Sequence, residues 1–252
     1  MVKTIIKDSD KFDNRKVEGV SIRVAEMFSN TVQGEGINTG VPATFLRLNG
    51  CTLSCKWCDT LEVWKGGSNY SITEILNLME ENGVDKDLRN GHHLIITGGS
   101  PLMQQDKVLH LIIEFVKRFG FKPYIEIENE AVLKPTLQLI NNVDCWNNSP
   151  KLSNSGNKTI LRYREEVLLQ LRDLKNSWFK FVITCEEDWN EIKEQYIDKG
   201  LIRKSQIILM PEGVTKEEIS KKYNWLIDLA CREGVRVSDR FHVTVWNKKT
   251  GV

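Results

Sequence analysis

Three cysteines fall within eight residues in "CTLSCKWCDT": Cys51, Cys55 and Cys58. The chain has six cysteines in all, and the others, Cys145, Cys185 and Cys231, are scattered far downstream. A structural zinc site closes a tetrahedron with four ligands, so it would need a second Cys or His pair at comparable spacing, and none follows. A cubane iron-sulfur cluster has four irons and takes thiolate as its usual protein ligand. Three thiolates leave one iron open, so the missing fourth cysteine makes room for a small molecule. A glycine pair in "TGGSP", Thr97 to Pro101, follows another apolar run and lets the backbone approach a ligand closely.

At these residues the chain resembles the radical S-adenosylmethionine enzymes, whose signature is CxxxCxxC with an aromatic residue, here Trp57, just before the third cysteine. An open iron can chelate the amino and carboxylate groups of S-adenosylmethionine. Reductive cleavage then gives a 5'-deoxyadenosyl radical, a cofactor-borne route to breaking strong C–H bonds. In that superfamily the segment matching "TGGSP" binds the methionine part of the cofactor. Its frequent acidic residue is Ser100 here, which leaves Gly99 to serve through its main chain.

A narrower resemblance runs through "FSNTVQGEGINTGVPATFLRLNGCTLSCKWCDT" and on to "LMPEG" and "RFHVTVWNKKTGV". These segments are similar to the 7-carboxy-7-deazaguanine synthase family, and the likeness covers nearly all of the chain after residue 20, least over 66–92. The resemblance implies conversion of 6-carboxy-5,6,7,8-tetrahydropterin to 7-carboxy-7-deazaguanine by radical ring contraction with loss of ammonia, in deazapurine biosynthesis of the queuosine type. It also implies S-adenosylmethionine regenerated at each turnover, an assisting magnesium ion, and an electron donor such as flavodoxin or ferredoxin. Position by position, it assigns Cys51, Cys55 and Cys58 to a 4Fe-4S cluster and to the chemistry itself. Val32, through its backbone, Gln33 and Gly34 would hold the pterin edge, since an amide offers both a donor and an acceptor. Arg47 would pair with the substrate carboxylate. An Arg inside the apolar strand "TFLRLNG" is costly to bury without a partner, which favours a ligand over a salt bridge. Thr97 would contact the substrate, the Val252 carboxylate would lie near the pterin, and the Thr60 hydroxyl would ligate magnesium, a hard cation. Trp57, Gly99, Ser149, Pro150 and Lys151 would bind the cofactor.

Positioning these residues requires a scaffold, and the chain alternates short apolar runs with helical patterns, as in β/α units around a parallel sheet. Strands are predicted at 20–28, 43–48, 93–97, 124–128, 143–147, 178–184, 206–210 and 241–246. Capping boxes at Ser71/Glu74 and Thr215/Glu218 open two helices, and others are predicted near 104–119, 164–174 and 187–198. The polar clusters "SNTVQGEG", the cysteine loop, "TGGSP", "NSPK" and "PEG" each follow a strand, so one mouth at the carboxyl ends should collect them. The expectation is a single domain over 1–252, with a charged lead at 1–18, folded as an incomplete, splayed (β/α) barrel. Its open sheet edge invites a second copy, hence a homodimer. "SNSGNKT" (153–159) reads as a flexible loop, and Cys145, Cys185 and Cys231 as core packing. His92 and His93 point to opposite faces of a strand and cannot chelate together; His110 has no assigned task, nor has His242, though it could lie near the mouth.

With 35 Lys and Arg against 34 Asp and Glu, the net charge is +1, and no basic block argues for nucleic acid or an anionic membrane. No apolar run reaches the roughly 18 residues of a membrane span, so the expected location is the cytoplasm, where thiols stay reduced. Two other readings compete. One is an activase that makes a glycyl radical in a partner protein. The other is a non-catalytic iron or zinc protein borrowing a fourth ligand from Asp59 or a histidine.

Overall fold

A computed structural model describes residues 1–252 apart from 8–11, 248, 250 and 252. Its strands are β1 (Lys3–Ile6), β2 (Phe12–Asp13), β3 (Ser21–Val32), β4 (Pro42–Leu48), β5 (Gly67–Ser71), β6 (His93–Gly98), β7 (Tyr124–Asn129), β8 (Cys145–Asn148), β9 (Ser177–Ile183), β10 (Ile207–Pro211) and β11 (Arg236–Val237). They form one open sheet in the order β11-β10-β9-β8-β7-β6-β4-β3-β5-β2, with β1 also pairing β3. From β4 through β11 neighbouring strands on this path run parallel, so the expected incomplete (β/α) barrel is what the chain builds.

The period-2 alternation of the strands decides which side chains meet what. Leu46 and Leu48, Leu94 and Ile96, and Ile125 and Ile127 join the main core, against helices Ile72–Glu81 and Gln105–Phe119. Those helices bury apolar stripes at helical spacing: Ile72, Ile75, Leu76 and Met79 on one, Val108, Leu111, Ile112 and Phe115 on the other. Both predicted capping boxes form. On the alternate positions Phe45, Ile95 and Phe28 make a small separate cluster, with Phe28 and Phe45 stacked at 5.0 Å. Farther along β4 and β6 Arg47 and Thr97 take that face, and with Glu128 of β7 they line a cavity.

Four expectations need correction. First, β3 runs antiparallel to β4, with Val32 opposite Pro42, so the QGEG loop leaves the end of the sheet remote from the cysteine loop. It reaches the mouth by folding across the inner face, where Gln33 meets Glu128 and Glu35 meets Lys180. Second, "FHVTVW" is a helix, Phe241–Trp246. Its alternating apolar residues imitate a strand, yet only Val243 is buried while Phe241 and Val245 are exposed. The Asp239 carboxylate accepts from the Arg240 N–H at 2.6 Å and the Thr244 hydroxyl at 3.0 Å, which ties down the first turn. Third, Cys185 and Cys231 are exposed and only Cys145 is buried. Cys185 sits in the turn after β9, and Cys231 lies off the Leu226, Leu229 and Ala230 stripe of its helix. Fourth, "SNSGNKT" is anchored rather than loose: Asn154 donates to the Val182 carbonyl and to Asp188, and Ser155 is fully buried. The charged lead also has a structural task, since β1 buries Ile6 and Arg15 bonds Asn69 and Glu74.

Gly67 shows how tightly β5 is laid on β3. Its φ is +106° and a Cβ there would stand 2.1 Å from the Val24 carbonyl oxygen. Gly67→Ala is expected to cost at least about 2 kcal/mol of stability, read as a lower urea midpoint with unchanged m-value.

Candidate active site

The cysteine loop follows β4 directly, and its three cysteines line a cavity of about 470 Å³. Short hydrogen bonds shape the loop: the Cys58 N–H reaches the Cys55 carbonyl at 3.2 Å, and the Lys56 N–H reaches the Ser155 carbonyl at 3.0 Å. Two N–H donors point at sulfur, Leu53 at Cys51 (3.4 Å) and the Asn157 amide at Cys55 (3.2 Å). Burial nonetheless pushes the Cys51 thiol up to about 11 and the Cys55 thiol above its usual range, with Leu53, Asn157 and Lys151 working in the opposite direction. Such donors suit sulfur that carries negative charge, as it does when bound to metal. Three thiols on one loop lining one cavity, with no fourth cysteine in that lining, fit a cluster with one open iron.

The glycine pair packs against this loop. A Cβ on Gly99 would lie 2.3 Å from the Gly50 carbonyl oxygen and 2.6 Å from Cys51 Cβ, so only glycine lets the two segments touch. The Ser100 N–H donates to the Gly50 carbonyl at 2.8 Å. Trp57 donates its indole N–H to Asn154 at 3.2 Å, while the Lys151 ammonium lies 5.6 Å from its ring and bonds the Ser149 hydroxyl at 2.6 Å. Ser149 is held by the Asn129 carbonyl at 2.7 Å, and Ser149 and Lys151 both line the cavity; Pro150 is buried between them. Thr60 lines the cavity too, its hydroxyl 3.7 Å from the Cys58 sulfur.

Much of the remaining cavity wall is charged. Arg47 is not an unpartnered buried cation: β3 places Glu26 opposite it, and the Arg47 Nε donates to Glu26 at 2.7 Å. The sequence argument from costly burial therefore loses its premise, although the two Nη nitrogens keep no protein acceptor among the described residues. The Gln33 amide is likewise engaged, donating to Glu128 at 3.2 Å and accepting from the Glu35 N–H at 3.3 Å. Gly34 lies against His242, where a Cβ would meet Nδ1 at 2.6 Å, and its carbonyl accepts from the Phe241 N–H. Val32 and Thr97 complete this wall. Val252 lies outside the described residues; its neighbour Gly251 lines the cavity beside Glu26.

Sequence reasoning missed an ion-pair knot that joins four segments. Glu35 accepts from Lys180 at 2.5 Å and from Arg240 at 3.1 Å, Arg240 also bonds Asp59 and the Gly213 carbonyl, and His242 stands 3.7 Å from Glu35 and 3.9 Å from Asp59. Burial opposes the charge on both carboxyls, but Lys180, Arg240 and His242 hold Glu35, and Arg240, His242 and Arg47 hold Asp59, well below the usual carboxylate range. One ligand atom each from Glu35, Asp59 and His242 converges within 4.8 Å. Two carboxylates already balanced by two buried cations make an ion-pair site rather than a cation site. Asp59, committed to Arg240, is thus not a spare fourth ligand for the cysteines. A readable signal did exist: "YIEIENE" alternates apolar and acidic residues along a strand that has both faces buried, and its Glu126, Glu128 and Glu130 all point to polar partners.

A splayed parallel sheet with a CxxxCxxC loop and a glycine pair facing one cavity at its carboxyl end defines an iron-sulfur enzyme of the radical S-adenosylmethionine class. The profile of a 4Fe-4S single cluster domain matches residues 32–144. A 7-carboxy-7-deazaguanine synthase of Pyrobaculum aerophilum is 32% identical over 234 residues, covering 91% of this chain and 97% of that protein. One from Bacillus cereus is 27% identical over 246 residues, covering 92% and 99%. The crystal structure of QueE from Escherichia coli superposes with a TM-score of 0.65 at 24% identity, covering 88% of this chain and 95% of that one, a likeness of fold. The chain belongs to the 7-carboxy-7-deazaguanine synthase family.

The depressed carboxyls carry a pH signature. Above the ordinary values of 4.5 and 3.8 the knot's stabilisation is fully present; below them the unfolded chain takes up protons that folded Glu35 and Asp59 refuse. Stability should hold down to about pH 5 and fall steeply below about pH 4. Glu35→Gln, which leaves Lys180 with only the more distant Glu128 and Arg240 with Asp59, should cost about 3 kcal/mol at pH 7 and flatten the acid limb, both read by urea titration across pH.

Proposed function

We propose that this chain converts 6-carboxy-5,6,7,8-tetrahydropterin to 7-carboxy-7-deazaguanine with loss of ammonia, in deazapurine biosynthesis of the queuosine type. The observation that carries the reading is a single cavity with two chemically different ends. Three cysteines and a glycine pair form one; Arg47, Gln33, Glu128 and Lys180 form the other. The second end suits a planar, polar heterocycle bearing a carboxylate. When bound, a 4Fe-4S cluster and S-adenosylmethionine supply the 5'-deoxyadenosyl radical that starts the reaction.

The protein's own part is to bind, orient and exclude water. Glu26 fixes Nε of Arg47, which leaves its planar Nη pair for the substrate carboxylate, a fork meeting an anion. Gln33 holds Glu128, whose carboxylate faces the cavity to accept from ring N–H groups, and Gly34 gives the backbone close access. Thr97 and Val32 border the same space, and Val252 is assigned to the substrate with them. Ser149, Pro150, Lys151, Trp57 and Gly99 flank the cofactor. Phe28 and Phe45 supply a dry apolar floor.

Magnesium belongs at Thr60, whose single hydroxyl makes a weak site that substrate oxygens and water would complete. The electron comes from a donor protein such as flavodoxin or ferredoxin. The whole chain acts as one domain and as a homodimer in the cytoplasm, where the three thiols stay free for metal.

The test is an anaerobic reaction of reconstituted protein with reductant, S-adenosylmethionine, magnesium and the carboxytetrahydropterin, followed by mass analysis. Accumulation of 7-carboxy-7-deazaguanine without matching loss of S-adenosylmethionine is expected. If only 5'-deoxyadenosine forms, the substrate assignment fails. Cys55→Ala should lose both cluster absorbance and turnover, whereas Cys185→Ala keeps both; an intact 4Fe-4S spectrum in the first would refute the ligand assignment. Thr60→Val should retain the cluster and lose most of the stimulation by magnesium, and equal stimulation in variant and parent would remove Thr60 from the metal site.

A further inference from the structure

Just past the end of β7, Glu130 is 3% exposed and lines the cavity between the glycine pair and the cysteine loop. Its two oxygens are treated differently. Oε1 accepts from the Ser100 hydroxyl at 2.6 Å and from the Thr52 hydroxyl at 2.9 Å. Oε2 is buried and has no hydrogen-bond partner among the described residues. A carboxylate oxygen only accepts, so its missing partner must be a donor, and burial without one is costly.

The donor's place is narrowly set. Thr52 directly follows Cys51, Ser100 directly follows the glycine pair, and the charge of Glu130 is felt at the Cys51 sulfur. The open oxygen thus belongs to a carboxylate held between the cysteine loop and the segment after the glycine pair. Lys151, the cation at this end, is already turned to Ser149 and the Trp57 ring. Ser100, standing where the glycine-pair motif frequently has an acid, is spent on orienting Glu130 and offers no carboxylate of its own.

We propose that Glu130, delivered from β7 and aimed by Ser100 and Thr52, is the carboxylate that accepts from the amino group of S-adenosylmethionine beside the cysteine loop. This rests on the radical-enzyme reading above. The acid has moved from the glycine turn to the neighbouring strand, and the hydroxyl left behind at Ser100 holds it in place. Glu130 is a cofactor-binding residue in this arrangement and takes no part in the hydrogen abstraction.

The test measures binding rather than turnover. Holoenzyme is reconstituted anaerobically, iron is counted, and the Kd for labelled S-adenosylmethionine is taken by equilibrium dialysis, with the cofactor-induced change in the reduced cluster's EPR signal as a second readout. Glu130→Gln keeps an amide oxygen for Ser100 and Thr52 but turns an N–H₂ toward the ligand. It should retain about four irons per chain and raise the Kd at least about tenfold, with a weaker EPR change. The exchange Ser100→Glu with Glu130→Ser returns the acid to the turn and should recover most of the lost affinity. A Glu130→Gln enzyme with intact cluster and parental Kd overturns the proposal. So does one whose Kd is unchanged while its KM for the pterin rises, which would place Glu130 on the substrate, and so does one that loses the cluster, which would make Glu130 a scaffold for the loop. If the parent holoenzyme itself does not bind S-adenosylmethionine, the radical-enzyme reading falls, a failure distinct from any seen only in the variants.

Discussion

The cavity depends on one charge-balanced contact, Glu35 between Lys180 and Arg240, with Asp59 on the far side of the guanidinium. These residues come from the β3–β4 loop, strand β9, the C-terminal helix and the cysteine loop. An open sheet gives none of these segments a reason to converge, because its hydrogen bonds run between neighbouring strands only. The ion pairs supply that reason. Burying four charges costs solvation, which tight pairing only offsets, so the knot is better understood as fixing geometry than as adding net stability. It pulls the cysteine loop toward the C-terminal helix and so sets the distance between the two ends of the cavity.

The same constraint explains why the inner face of this sheet departs from the usual composition of parallel strands. With helices on both sides, such strands are apolar throughout. Here the helices cover one face, where Leu46, Ile96, Ile125 and Ile127 pack, and the other face carries Arg47, Thr97, Glu128 and Lys180. Each of these charges needs a partner on that face, and the partners are near neighbours across the sheet or on the overlying loop. Glu26 serves Arg47, Gln33 and Lys180 serve Glu128, and His93 with Asn147 serves Glu126 at 2.5 and 2.8 Å. The charges on this face are each paired, which is what a low-dielectric chamber requires of buried charge.

How far this was legible from sequence varied with the range of the interaction. Local signals were sound: the alternation that marks β4, β6, β7 and β9, the capping boxes at Ser71 and Thr215, and the CxxxCxxC loop with its glycine pair all depend on residues close in the chain. Strand direction does not. Nothing in "VSIRVAEMF" says that β3 runs against β4, so Glu26 could not be seen as the partner of Arg47, nor the QGEG loop as a flap across the sheet. At the C-terminus local pattern misled, since "FHVTVW" alternates like a strand while Asp239 and the Gly34 carbonyl impose a helical turn. That turn is what brings Arg240 and His242 to Glu35. The anchoring of Asn154 and Asn157 was equally invisible, because polar residues in a loop read as solvated until their buried partners are known.

The two ends of the cavity manage charge by opposite means. At the Arg47 end, full charges are paired within the protein before any ligand arrives, so a ligand adds its charge to a rigid, already compensated frame. At the cysteine end the protein withholds compensation. Burial keeps the Cys51 thiol protonated up to about pH 11, with a single ammonium, Lys151, and a few N–H donors opposing it. A cluster held by Cys51, Cys55 and Cys58 would require those protons to leave, and its metal–thiolate bonds would then fix the shape of the loop. A site pre-charged with thiolates would repel itself and strain the loop in the absence of metal. Burial that keeps Cys51 and Cys55 protonated spares the loop that repulsion.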